Sequence, residues 1–198
     1  MSTHWVHQIV AWAGAVLLTS DHAQSRYINS FAGPYIAYMH TYDSCPSDGS
    51  AVFHLRATHF KPARPYDLQV VTSNLSLTRD VEDNFWMYLD LAVRNNNEWK
   101  ENAFVVKFPN VGCTTIRDQA PGIFAIIAKS TGVSLNKNER CFIPKGQYDV
   151  NGPVNWTFPN FPIMPYGRYR VHLRARGDPN SPVRYCAIVD CEVIPKPG

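Results

Sequence analysis

Charge is scarce in this chain. Asp, Glu, Lys and Arg make up 18 % of its 198 residues, below the usual quarter, and 19 Lys and Arg against 16 Asp and Glu leave a net charge of only +3. So small an excess gives no reason to expect a phosphate-backbone partner, and nucleic acid is not among the partners assigned. Long apolar runs are missing as well. The stretch from Ile9 to Leu18 has ten residues, about half of a bilayer span, and no later run approaches that length. There is no CxxC, no Cys/His cluster at zinc-ligand spacing, no GxSxG elbow, no HExxH and no phosphate-binding glycine loop. No catalytic residue, metal or cofactor is therefore assigned. Glycine, at 11 residues, is outnumbered by 15 prolines spread along the chain, which disfavours a long helical bundle and suits short strands joined by turns.

What the chain does have is apolar and aromatic mass: 45 % hydrophobic residues and 13 % aromatics, enough for one folded domain with a real core. Ile9 to Leu18 followed by Ala23-Gln24-Ser25 has the form of a secretory signal, with a cut after Ser25, leaving residues 26–198 as a single domain. A buried N-terminal helix is the other reading of the same run. In a secreted chain, Cys45, Cys113, Cys141, Cys186 and Cys191 form two bridges and leave one thiol. The triplets Asn74-Leu75-Ser76 and Asn155-Trp156-Thr157 are N-glycosylation acceptors in form.

Period-two alternation dominates the rest of the sequence. Tyr169, Val171, Leu173 and Ala175 alternate with Arg168, Arg170, His172, Arg174 and Arg176, a strand with one wet face. The same pattern groups Phe53, Leu55 and Ala57; Phe85, Met87, Leu89, Leu91 and Val93; Phe104, Val106 and Phe108; and Tyr185, Ala187, Val189, Cys191 and Val193. Tyr66 to Thr78 reads as a further strand. Ser47-Asp48-Gly49, Asn95-Asn96-Asn97 and Gly177-Asp178-Pro179-Asn180 are compact polar turns, so the sheets are predicted to be antiparallel. One segment breaks the rhythm. Asp118 as a cap, Pro121 in the first turn, Ile123, Phe124, Ile126 and Ile127, then Gly132 as a stop, predict one helix over roughly 119–131. Cys113 and Cys141 bracket it, and a bridge between them would close that loop onto the sheet.

His40, His54, His59 and His172 sit in or beside predicted strands and are read as surface or hydrogen-bonded groups. The four arginines of the Arg168–Arg176 face suit either solvent or an anionic membrane surface. The apolar strand faces fit two architectures: a closed core, or a sandwich whose sheets splay around a cavity for an apolar ligand.

The C-terminal half carries a family resemblance. Cys141-Phe142-Ile143-Pro144-Lys145-Gly146-Gln147-Tyr148 and Phe161-Pro162-Ile163-Met164-Pro165-Tyr166-Gly167-Arg168-Tyr169-Arg170 resemble the Cys-Pro-Ile-x-Lys-Gly-x-Tyr and Pro-x-x-Pro-x-Gly-x-Tyr-Arg patterns of the insect CheB and ganglioside-activator-like family. The similarity extends over roughly residues 80–194, with Phe142 where proline is common. It implies a mainly β fold: a two-sheet antiparallel β-sandwich, or β-cup, of the ML lipid-recognition type, with one short helix and a hydrophobic cavity between the sheets. It implies binding of a lipid or other apolar small molecule without turnover, with a role in contact chemosensation, and membrane-surface or receptor contact. The ganglioside-activator branch implies instead a lipid-presenting partner of a hydrolase. An extracellular interaction module or co-receptor subunit with a filled core is the reading from another class. Carried over, the cavity residues are Phe85, Met87, Leu89, Phe104, Val106, Ile123, Phe124, Ile127, Val171 and Leu173, with the helix as the lip. Related cups staple their first and last strands. With the inward parity of Cys191, this suggests Cys45 paired with Cys191 beside Cys113 paired with Cys141.

Overall fold

The structure, a computed structural model, describes residues 31–197; the expected signal segment and the start of the domain at residue 26 lie outside them. Two antiparallel sheets face each other. The large one has the order β2 (Tyr35–Ser44), β11 (Val183–Pro195), β10 (Gly167–Arg176), β5 (Trp86–Asn95) and β6 (Glu98–Phe108). In the small one β3 (Ala51–Ala57), β4 (Gln69–Leu77) and β7 (Gly146–Asp149) are neighbours, and β8 (Gly152–Val154) also pairs with β4. A short ribbon of β1 (Ala32–Gly33) and β9 (Met164–Pro165) lies at one end.

The turn residues act as their chemistry requires. Asn96 and Asn97 take left-handed backbone, φ 50° and 62°, closing the β5–β6 hairpin with the residue type that tolerates that region best after glycine. Alternation sets the faces. On β4, Gln69, Val71, Ser73, Leu75 and Leu77 are buried, and the residues between them point outward.

The helical region corrects the expectation of one helix. It is two helices, α1 (Gly112–Gln119) and α2 (Pro121–Thr131), meeting at Ala120. Pro121 opens α2, and Gly132, at φ 76°, closes it with its N–H on the Ala128 carbonyl at 2.8 Å. Asp118 is not a cap; it lies inside α1. The start of α1 is capped from a distance: Thr114 donates to Asp83 through its backbone N–H (2.7 Å) and its hydroxyl (2.5 Å). No local capping residue announces that helix.

The disulfides also differ from expectation in part. Cys113 and Cys141 are joined, but Cys45 is bonded to Cys186 and not to Cys191. Strand register is the reason. Ser44 stands opposite Ala187 in the β2–β11 ladder, so Cys45, one residue on, meets Cys186, and its N–H reaches the Cys186 carbonyl at 3.2 Å. Cys191 stands opposite Met39, six residues earlier on the partner strand, and remains a free thiol.

Two polar side chains stitch the layers. Gln69, 4 % exposed, receives the Met39 N–H at 2.8 Å and donates to the Met39 and Thr58 carbonyls at 2.9 and 2.6 Å, pinning β2 beside its bulge to the small sheet. Arg117, also 4 % exposed, donates to the carbonyls of Asn136, Lys137 and Glu139 at 2.9–3.2 Å and holds the loop after α2.

Candidate functional site

The register of the large sheet assembles its inner face. Met87, Leu89, Leu91 and Val93 of β5 stand opposite Ala175, Leu173, Val171 and Tyr169 of β10, and on the other side Met87, Leu89 and Leu91 stand opposite Phe108, Val106 and Phe104 of β6. All but Tyr169, which carries a hydroxyl, are apolar, and paired residues of neighbouring strands share this face.

They are not equally covered. One buried cluster joins β3, β4, β8, both helices and Met39 of β2; it contains Phe53, Leu55, Val71, Phe124, Ile126, Ile127 and Val154, with Ile123 packed against it. A second, smaller cluster holds Phe85, Met87 and Ala175, with Leu173 and Phe108 beside them. Leu89, Leu91, Val93, Val106 and Val171 belong to neither and are half-buried, and Phe104 is 44 % exposed. These six side chains form a continuous apolar wall.

The ten cavity candidates therefore fall into three groups. Leu89, Phe104, Val106 and Val171 lie on the wall. Phe85, Met87 and Leu173 close one end of it in the smaller cluster. Ile123, Phe124 and Ile127 are not a lip over open space: Phe124 is 0 % and Ile127 6 % exposed within the larger core, where α2 packs on β7 and β8. Leu91 and Val93, which alternate with Met87 and Leu89 on β5 but are not among the ten, continue the wall: Leu91 stands opposite Val171 and Phe104, and Val93 opposite Tyr169.

Polar groups on the inner face are few and held neutral. Burial, reinforced by the charges of Asp190 and Glu192, pushes the Cys191 thiol up to about 12. Burial does the same to Tyr169, at about 12, whose hydroxyl donates to the Pro165 carbonyl at 2.7 Å. The outer face takes the charge. Arg168 makes a two-pronged contact with Asp190 at 2.7 and 2.9 Å, Arg170 stacks on Trp99 at 4.2 Å, and Arg174 lies 4.0 Å from Asp90. The arginine face is thus largely answered by neighbours within the sheet.

Of the described histidines, His40 meets Glu192 at 2.9 Å on β2, His54 is on β3, His59 follows β3 and His172 is on β10. Among the described residues no group of three or more His, Cys, Asp or Glu is placed to hold a metal ion, and no helix is long and apolar enough to cross a membrane. Both sequon asparagines, Asn74 and Asn155, are exposed. Two open hollows, of about 300 and 760 Å³, lie against the small sheet, and both are bordered by Asn74 and Asp149.

Fold and site together define a two-sheet antiparallel β-sandwich with a packed core on one side and a half-covered apolar wall on the other. No family model matches the chain, and no curated protein does. Among solved structures the chain is similar to the crystal structure of chicken MD-1 complexed with lipid IVa, at 14 % identity and a TM-score of 0.33, over 83 % of this chain and 96 % of that one.

Proposed function

We propose that this protein binds lipids or other apolar small molecules on the inner wall of its large sheet, as a secreted carrier that does not transform them. One observation carries the reading: Leu89, Leu91, Val93, Phe104, Val106 and Val171 form one apolar surface that neither buried cluster absorbs. An acyl chain laid there gains about 0.8 kcal/mol for each CH₂ it hides from water, without any polar anchor. Two disulfides support an oxidising, extracellular compartment. The resemblance of the Cys141–Tyr148 and Phe161–Arg170 segments to insect CheB proteins points to contact chemosensation, with a pheromone or cuticular lipid as ligand. A lipid-presenting activator of a hydrolase would use the same wall.

An extracellular interaction module is the second reading, and the edge of the large sheet favours it. Among the described residues strand β6 has no neighbour on its outer side in the sheet order, and Phe104 and Val105 are 44 % and 52 % exposed there, a surface on which a partner strand could pair.

Organic extraction of the native protein followed by mass spectrometry, with titration of an apolar fluorescent probe, separates the two. Stoichiometric lipid, and a severalfold loss of probe affinity in Val171→Asn and Val106→Asn at little cost in stability, are the results expected of a carrier. A lipid-free protein that ignores the probe would leave the interaction module.

A further inference from the structure

Both sequons show the same arrangement in the folded chain. Asn74 and Ser76 point away from the core while Leu75, 8 % exposed, points into it; Asn155 and Thr157 are exposed while Trp156 packs against the core. The middle residue anchors each triplet, and the acceptor amide faces solvent. Their surroundings differ. Asn155 follows β8 on the surface and borders neither hollow, and its main chain rests against Gly122 at the start of α2, where a Cβ would come within 2.0 Å of the Asn155 carbonyl oxygen. Asn74 stands in mid-strand between His54 on β3 and Asp149 on β7, and it borders both hollows. Its Nδ2 donates to Asp149 Oδ1 at 2.6 Å. The larger hollow, about 760 Å³, is edged mainly by polar residues, among them Asp43, His54, Arg56 and Thr72, with Tyr42 and Leu55 as its apolar members. Such a lining suits sugar hydroxyls, which donate and accept at once, better than it suits an apolar ligand.

We propose that Asn74 carries an N-linked glycan whose first sugars lie in this hollow against the small sheet, and that Asn155 carries a second, freely exposed one. The proposal rests on the reading of the chain as secreted, since the donor, a lipid-pyrophosphate-linked oligosaccharide, belongs to the secretory lumen. Transfer forms a bond between C1 of the first sugar and Asn74 Nδ2 and breaks the bond from C1 to the pyrophosphate oxygen. The lipid pyrophosphate leaves with that electron pair, and Nδ2 gives up one proton. The amide keeps its other N–H, which is enough to hold Asp149 and so to fix the direction in which the sugar departs. A glycan seated in this way is shielded from trimming enzymes that a free one meets. It also covers part of the outer side of the small sheet and leaves the large-sheet wall and the β6 edge free.

The test is site-by-site glycopeptide mass spectrometry on the full chain collected from the medium of secreting eukaryotic cells, before and after endoglycosidases that distinguish oligomannose from processed glycans. Asn74 is expected to be occupied and mainly oligomannose, and Asn155 occupied and processed. Asn74→Gln should lose one glycan mass and leave the Asn155 glycan unchanged, and Asp149→Ala should raise the processed fraction at Asn74 severalfold. Secreted protein with a bare Asn74 would overturn the site. An Asn74 glycan as fully processed as that of Asn155 would overturn its seating in the hollow. A chain retained in the cell would count against the secretion reading alone. The same protein delivered by an established leader in place of residues 1–25 then decides the Asn74 site, and a bare Asn74 there overturns it.

Discussion

Replacing Phe124 by alanine separates a sealed core from an open cup. Phe124 is wholly buried on α2, and the helix is held from both ends: the Cys113–Cys141 bridge ties α1 and the segment after α2 to the same place, and Gly122 is wedged against Asn155. The lost ring hides roughly 100 Å² more apolar surface than a methyl group, about 2.5 kcal/mol at about 25 cal/mol per Å². A framework fixed in this way relaxes poorly into the gap, and the residual void adds to the loss, which places the total at about 3–5 kcal/mol. Val171→Ala, on the half-buried wall, removes fewer contacts and should cost less than about 1 kcal/mol. Denaturant unfolding of ligand-free protein gives both values, provided the slopes match. The apolar probe should respond in the opposite order, losing affinity with Val171→Ala and keeping it in whatever Phe124→Ala remains folded. A loss below about 1.5 kcal/mol for Phe124→Ala, with a severalfold drop in probe affinity, would refute the assignment of α2 to the core.

Three further outcomes follow from the same contacts. Cys45→Ser with Cys186→Ser opens a link across 141 residues and should cost about 5 kcal/mol on the chain-entropy model, against about 4 kcal/mol for the pair separated by 28; non-reduced peptide mapping and thermal melts check the pairing and the order. Arg117→Met should cost about 2 kcal/mol, because three loop carbonyls lose their donor while a buried charge is also removed, and hydrogen exchange should quicken at residues 134–140. The Cys191 thiol is raised from 9.0 to about 12, so its neutral form is the one the fold favours. That contribution to stability is complete below pH 9 and is lost as the pH climbs toward 12; Cys191→Ser should lessen the alkaline loss seen in urea unfolding, and the native thiol should resist alkylation at about pH 8 until the protein is unfolded.

Local pattern carried a large part of this architecture. Alternation along Met87–Val93, Phe104–Phe108 and Tyr169–Ala175 showed which way each side chain points, because a strand turns its residues to opposite faces whatever lies beyond them. Asn95-Asn96-Asn97 marked its hairpin through the backbone region asparagine tolerates, and Pro121 and Gly132 marked α2 through a missing N–H and a left-handed stop. Parity also placed Cys191 on the inner face. What stands opposite a side chain is not a local property. The cap of α1 comes from Asp83, 31 residues before Thr114, and so leaves no trace beside the helix. Cys186 stands between Tyr185 and Ala187 and Cys191 between Asp190 and Glu192, yet neither setting says which of them meets Cys45; the β2–β11 register does. Phe124 and Val171 are equally apolar in the sequence. One is core and the other wall because the small sheet and the helices cover part of the large sheet and stop short of the rest, and burial depends on that coverage rather than on hydrophobicity.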